Sequence, residues 1–163
     1  MNGVVDVDVS LKRMNVLLTD VYRSIIKVEE VMLFRLSDGQ LTLSEMHMLE
    51  SIGKCGGQGI TITDIAQDLE ITPPSVTAMV KRLERKGFIS KDRSDEDARR
   101  VHVLLTDKGR RAEIAYRYFQ RNFVRDLTDA LNIAEKEAIV TALEKIDAYI
   151  RRQIGEYSAG KED

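Results

Sequence analysis

A mainly α-helical chain broken by one small β-hairpin is the fold class the sequence predicts, and three observations carry it. Apolar residues recur at helical spacing near both ends of the chain. The only prolines, Pro73 and Pro74, stand side by side, so the long stretches around them are free to be helical. At VHVLL (residues 101–105) the apolar period drops from helical to two, the mark of a strand.

The elements follow in order. Residues 8–36 read as a long helix, because Leu11, Met14, Leu18, Val21, Ile25, Val28 and Met32 alternate in steps of three and four. Leu17, Tyr22 and Ile26 widen that stripe and predict burial on more than one side. SDGQ (residues 37–40) ends the helix, with glycine as the breaker. Thr42 and Glu45 have capping-box spacing and open a helix to about Ile52. KCGGQG (residues 54–59) is a turn, after which Thr61 or Thr63 caps ITDIAQDL. Thr72 caps a further helix with Pro73 in its first turn, and that helix stops at Gly87. Phe88 and Ile89 begin a strand, a polar run over 91–100 turns the chain, and Val101, Val103 and Leu105 alternate on the way back. Two helices close the sequence, one from Thr106 to about Leu127 and one opened by Asn132 and Glu135. The predicted order is α-α-α-α-β-β-α-α.

Bulk composition narrows the function classes. At 163 residues, 43% hydrophobic and 32% charged, the chain has the size and balance of one ordinary globular domain. No apolar run reaches membrane-spanning length, and the first residues lack the continuous apolar segment of a secretory signal. A single cysteine, Cys55, excludes an intrachain disulfide and fits a reducing, cytoplasmic setting. Neither a phosphate-binding glycine loop, nor a nucleophile–histidine pair, nor a carboxylate dyad stands out, so the sequence predicts no enzyme, no cofactor and no metal centre. The net charge is −2, yet residues 72–100 carry eight basic side chains against five acidic ones. Basic charge is therefore concentrated in one stretch, and distribution matters more than the sum for a nucleic-acid partner.

The two short helices joined at 69–72 have helix-turn-helix proportions, with the second as the reading helix. Thr72, Ser75, Thr77 and Ala78 occupy its outward N-terminal positions, and Lys81 follows one turn on. Small hydroxyl residues suit close approach to base edges; the alternative is that they merely cap and solvate the helix. A hairpin with arginines at its tip follows at once, which makes the unit a winged helix-turn-helix. Lys91, Arg93, Asp97, Arg99 and Arg100 complete the predicted DNA-contact set.

The run VTAMVKRLERKGFISKDRSDEDARRVHVLLTDKG (residues 76–109) resembles the MarR family of transcription regulators, with Asp97–Arg99, Thr106 and Gly109 at signature spacing. The resemblance covers nearly the whole chain. It implies a dimeric, single-domain protein (1–163), with a DNA-binding lobe over 41–106 and a dimerisation lobe built from 8–36 and 107–157. It also implies that Arg99 enters the minor groove with Asp97 orienting it, where a narrow groove concentrates negative potential. The sequence departs from the family pattern at Ala98, where many members have a second arginine, and at Ala78, where many have a long polar residue.

Residues 41–54, 83–97 and 99–110 are similar to the fatty-acid-biosynthesis repressors within that family. That likeness implies control by acyl chains on acyl carrier protein, in a pocket walled by Tyr22, Ile26, Met32, Met46, His47, Tyr116 and Phe119. Those residues read equally well as plain core. Arg110, Arg117, Arg121 and Arg125 share one helix face, which fits an acidic partner, flanking phosphates or a solvated surface with Glu113 pairing to Arg117. His47 matches a ligand position of zinc-sensing members, but the histidine-rich fifth helix of those proteins is missing. Cys55 lies in a turn, whereas redox-sensing members place their cysteine on the first helix. The predicted partners are duplex DNA, a second copy of the chain, and acyl carrier protein or a small apolar ligand. A phenolic or drug-like effector, and a winged helix used only for protein contact, are the rival readings.

Overall fold

The computed structural model describes residues 3–93 and 101–159, with side chains described over 10–92 and 101–156. The elements are α1 (Gly3–Ser37), α2 (Leu43–Lys54), a 3-10 turn (Gly56–Gln58), β1 (Ile60–Thr61), α3 (Ile62–Asp68), α4 (Pro73–Arg85), β2 (Ile89–Arg93), β3 (Val101–Leu105), α5 (Asp107–Leu127) and α6 (Ile133–Ala159). The predicted order holds, with one strand added.

Two compact units are present, residues 1–118 and 119–163. In the first, the helical starts and stops are chemically legible. The Thr42 hydroxyl accepts from the Glu45 amide at 3.3 Å, and the Glu45 carboxylate accepts from the Thr42 amide at 3.0 Å. That reciprocal box satisfies two donors that the first turn of α2 would leave orphaned. Thr61, not Thr63, caps α3, accepting from the Asp64 amide. Helix α4 ends as glycine at 87 predicts: Gly87 sits at φ +76°, its amide donates to the Glu84 carbonyl, and the Phe88 amide donates to the Leu83 carbonyl. The break after α1 uses two left-handed residues, Asp38 and Gly39.

The sheet is antiparallel in the order β1-β3-β2. Strand β1 pairs Ile60 with Val103 and Thr61 with His102. Two residues are too short to show a period, and their partners lie 41 and 43 positions away, so the sequence shows no strand between the 54–59 turn and the next helix. Strand β2 runs further into the polar stretch than expected, because Lys91, Asp92 and Arg93 pair with Val103, His102 and Val101. Alternation is invisible there because Lys91 and Asp92 are both polar and both exposed.

The core of this unit is mainly apolar and is shared by its α-helices and strands. Met46, Met48, Leu49 and Ile52 of α2, Ile65 of α3, Val76, Val80 and Leu83 of α4, and Val103 of β3 are 0–1% exposed. Leu33 of α1 and Tyr116 of α5 close it from the helical side. In the second unit, Asn132 and Glu135 form the predicted capping box at the start of α6, with both bonds at 2.9–3.0 Å. Phe119 and Phe123 stack with ring centroids 5.7 Å apart.

Candidate nucleic-acid interface

Helices α3 and α4 form the predicted pair. They are joined by a turn in which Leu69 caps α3 and Glu70 takes a left-handed φ of +53°. The Glu70 and Ile71 amides donate back to Gln67 and Ala66, which closes the turn tightly enough for two consecutive helices. Helix α4 buries Val76, Met79, Val80 and Leu83 and leaves Ser75, Ala78, Lys81 and Arg82 outward. The alternation of three and four between buried positions is what keeps that outward face polar.

Each reading-helix candidate has a defined place. Thr72 stands at the N-cap position, but its hydroxyl makes no capping bond; it pairs with the Ser75 hydroxyl at 2.9 Å. Pro73 and Pro74 remove two amide donors from that first turn, which lowers the demand for a cap. Thr77 is half-buried and its hydroxyl donates to the Pro73 carbonyl, so only part of it faces outward. Ala78 is exposed, and Lys81 is exposed with no ion pair to another described residue. Lys91 is held by Glu84 at 2.6 Å, which ties the wing to the back of the reading helix. Arg93 belongs to β2. Asp97, Arg99 and Arg100, the predicted wing-tip contacts, lie outside the described residues.

One arrangement was not read from the sequence. Glu45 is 2% exposed, and both its oxygens lie 2.7 Å from the Lys86 ammonium, with Arg82 Nε at 3.6 Å. Burial opposes ionisation of this carboxyl. The hydrogen bond from Lys86, the Thr42 amide and the charges of Lys86 and Arg82 outweigh burial and hold it below the ordinary glutamate value. One of the eight basic residues in that stretch, Lys86, is therefore held by Glu45, while Arg82 approaches it from a half-exposed position. The missed signal was the spacing of Arg82 and Lys86 at i, i+4, which puts both on one side of α4.

On the other side, Lys108 of α5 reaches the end of α4. Its ammonium donates to the Lys86 carbonyl at 2.9 Å and to Gln40 Oε1 at 2.7 Å, and lies 4.1 Å from the Phe88 ring centroid. The Thr106 hydroxyl donates to the Gly87 carbonyl at 2.7 Å and accepts from the Gly109 amide. Gly109 packs so closely that a Cβ there would run into the Phe88 carbonyl oxygen. That contact gives a physical reason for glycine three residues after Thr106.

The comparisons with known proteins agree with this geometry. Residues 41–101 match the sequence pattern of the MarR family. This stretch is a MarR-family segment. The chain is 31% identical over 83 residues to the transcriptional repressor MdtR of Bacillus subtilis, covering 51% of this chain and 52% of that protein. It spans about half the length of the curated relatives it matches. Among solved structures it is similar to Streptococcus pneumoniae FabT in complex with DNA, with 29% identity, a TM-score of 0.81, and 86% of this chain and 97% of that one covered. The Staphylococcus aureus MepR–DNA complex shares the fold, with a TM-score of 0.67 at 23% identity over 82% of this chain and 94% of that one.

The residues named for an effector pocket separate into three environments. Met46 and Tyr116 are fully buried in the core. Ile26, Met32 and Phe119 are half-buried. Tyr22 is 65% exposed, and His47 is exposed. Arg110, Arg117, Arg121 and Arg125 are all exposed on α5; Arg117 lies 3.5 Å from Glu113, and Arg125 pairs with the adjacent Asp126. Cys55 is exposed and free. Among the described residues there is no cluster of three or more potential metal ligands, and no helix is long and apolar enough to cross a membrane.

Proposed function

We propose that the chain is a sequence-specific transcription regulator of the MarR type that binds duplex DNA as a homodimer and represses by occluding a promoter. The observation that carries the reading is the outward N-terminal face of α4, with Ser75, Ala78 and Lys81 free of the core beside a β-hairpin wing. A short hydroxyl and a methyl at that end allow a helix to approach base edges in a major groove, with Lys81 placed for phosphate. Likeness to a protein solved on DNA supports it.

The dimer follows from what a single chain leaves uncovered. Leu11, Met14, Leu17, Leu18 and Val21 of α1, and Ile139, Leu143, Ile146, Ile150 and Ile154 of α6, are each at least 40% exposed. Apolar stripes of this length are partner-covered in water-exposed proteins. A two-fold dimer sets its reading helices about 34 Å apart, one DNA turn, so the operator is a pseudo-palindrome. In this reading residues 41–106 are the DNA lobe, residues 8–36 and 107–157 are the dimer lobe, and Arg99 braced by Asp97 probes the minor groove.

The finer proposal is control of fatty-acid biosynthesis genes by acyl chains on acyl carrier protein. Similarity to FabT, solved in complex with DNA, and the likeness of residues 41–54, 83–97 and 99–110 to fatty-acid-biosynthesis repressors support it. The arginine face of α5 is the surface for the acidic carrier. Selection of random duplexes followed by sequencing tests the regulator, beside Arg99→Ala. A pseudo-palindrome enriched by the wild type and weakened in the variant is the expected result; no enrichment, with or without acyl-loaded carrier protein, overturns it. A rise in operator affinity with long-chain acyl carrier protein, and none with phenolic ligands, supports the finer reading.

A further inference from the structure

We propose that Glu45 is a positioning residue for DNA reading, fixing through Lys86 the C-terminal end of α4 and hence the pose of its N-terminal face on the bases. The inference rests on the regulator reading above and deepens it.

Three elements converge on the last turn of α4. From α2, both oxygens of the buried Glu45 grip the Lys86 ammonium at 2.7 Å. From α5, Lys108 grips the carbonyl of the same residue. From the α1–α2 turn, Gln40 holds Lys108 in place. One residue, Lys86, is thus held by its side chain on one side and by its backbone on the other. The remaining carbonyl of the cap, on Gly87, is taken by Thr106.

Leverage makes this grip matter. A helix of 13 residues is about 20 Å long, so a rotation of about 5° at one end moves the other by nearly 2 Å. Base-edge hydrogen bonds tolerate a few tenths of an ångström. Phosphate contacts through long flexible lysines tolerate far more. Loosening the C-terminal grip therefore erodes discrimination between sequences before it erodes attraction to DNA as a polyanion. A buried ion pair is a weak source of net stability compared with apolar packing, but it does fix geometry. At the base of a reading helix, geometry is what binding requires.

The experiment compares wild type, Glu45→Gln, Lys86→Gln and the double variant. Glutamine keeps an oxygen for the Thr42 amide, so the capping box survives while the charge is lost. The ratio of selected-duplex to random-duplex affinity is expected to fall about tenfold in each single variant, and no further in the double. Binding of random duplex at low salt is expected to persist. Without DNA, amide exchange at Gly87 and Phe88, which donate to Glu84 and Leu83, is expected to quicken in both variants. Lys86→Arg, which keeps the pair, restores the ratio. A folded Glu45→Gln or Lys86→Gln protein with an unchanged ratio overturns the proposal, as do losses that multiply in the double variant. A wild type that discriminates no duplex sinks the regulator reading and this inference together; a discriminating wild type indifferent to these changes sinks the inference alone.

Discussion

Helix α2 carries two glutamates, one in its first turn and one past its middle, and they live in opposite surroundings. Glu45 opens the helix, is buried, and faces Lys86 and Arg82 of the reading helix. Glu50, five residues on, is half-buried towards α1 and α5, among Glu113, Glu29, Lys54 and Arg117. Burial first, then the charges of Glu113 and Glu29, push its carboxyl above the ordinary value; Lys54 and Arg117 pull the other way and lose. The same side chain on one helix is a fastener against α4 at one position and a strained group at the other. The difference teaches that burial alone does not decide what a carboxylate does. The sign of its neighbours does.

Breaking the fastened end has the largest expected effect. Glu45→Ala removes the capping box and leaves Lys86 half-buried without its partner, so stability at pH 7 falls by about 3–5 kcal/mol in chemical denaturation. A loss below about 1 kcal/mol would put Glu45 on a par with a surface pair. Gly109→Ala attacks the same end from α5. Its methyl meets the Phe88 backbone, which cannot swing aside, so a loss of about 1–3 kcal/mol is expected in thermal melts.

The strained end is predicted to respond the opposite way. Glu50→Gln removes a like-charged neighbour from Glu113 and Glu29 and gains about 0.5–1 kcal/mol at pH 7. Acid titration separates the two ends by sign. A raised carboxyl binds its proton more readily in the folded state, so its penalty at neutral pH is relieved as pH falls from that raised value towards about 4.3. A lowered carboxyl contributes stability above about 4.3 that is lost as pH falls through its depressed folded value. Stability should therefore rise slightly on mild acidification and then collapse. Equilibrium unfolding across pH 7 to 3 should show that rise in the wild type and its absence in Glu50→Gln.

The smallest effect is expected at the tip of α2. Lys54 donates to both oxygens of Asp68 at 2.9–3.0 Å, and that bond holds the Asp68 carboxyl low, but the pair lies in solvent. Lys54→Gln should change stability by about 0.5 kcal/mol or less, fading further in high salt. A larger change would mean that exposed charge around α2 matters as much as buried charge.

Legibility from sequence followed the range of the interaction. Capping boxes at Thr42 and Asn132, the glycine stop at 87, and the apolar period of α4 are local, each resting on residues three to five apart, and all are legible in the sequence. Strand β1 was missed because two residues carry no period and the partner is distant. The outward side of α4 was legible because it is the complement of its buried positions, though Thr77 is half-buried and donates to the Pro73 carbonyl. The basic count over 72–100 overstates the free charge: sequence counts charges, but only the fold reveals that Lys86 is bonded to Glu45 with Arg82 nearby.

What the sequence determined by itself was therefore the list of helices, their ends, the hairpin and the family of the middle segment, because each rests on neighbours within one or two turns. What only the tertiary structure decided was which charges are available and which are engaged. Glu45 and Lys86 are 41 residues apart, and Gln40 and Lys108 are 68 apart. Ion pairs depend on distance in space and on the water removed around them, and neither is written in the spacing of residues along a chain.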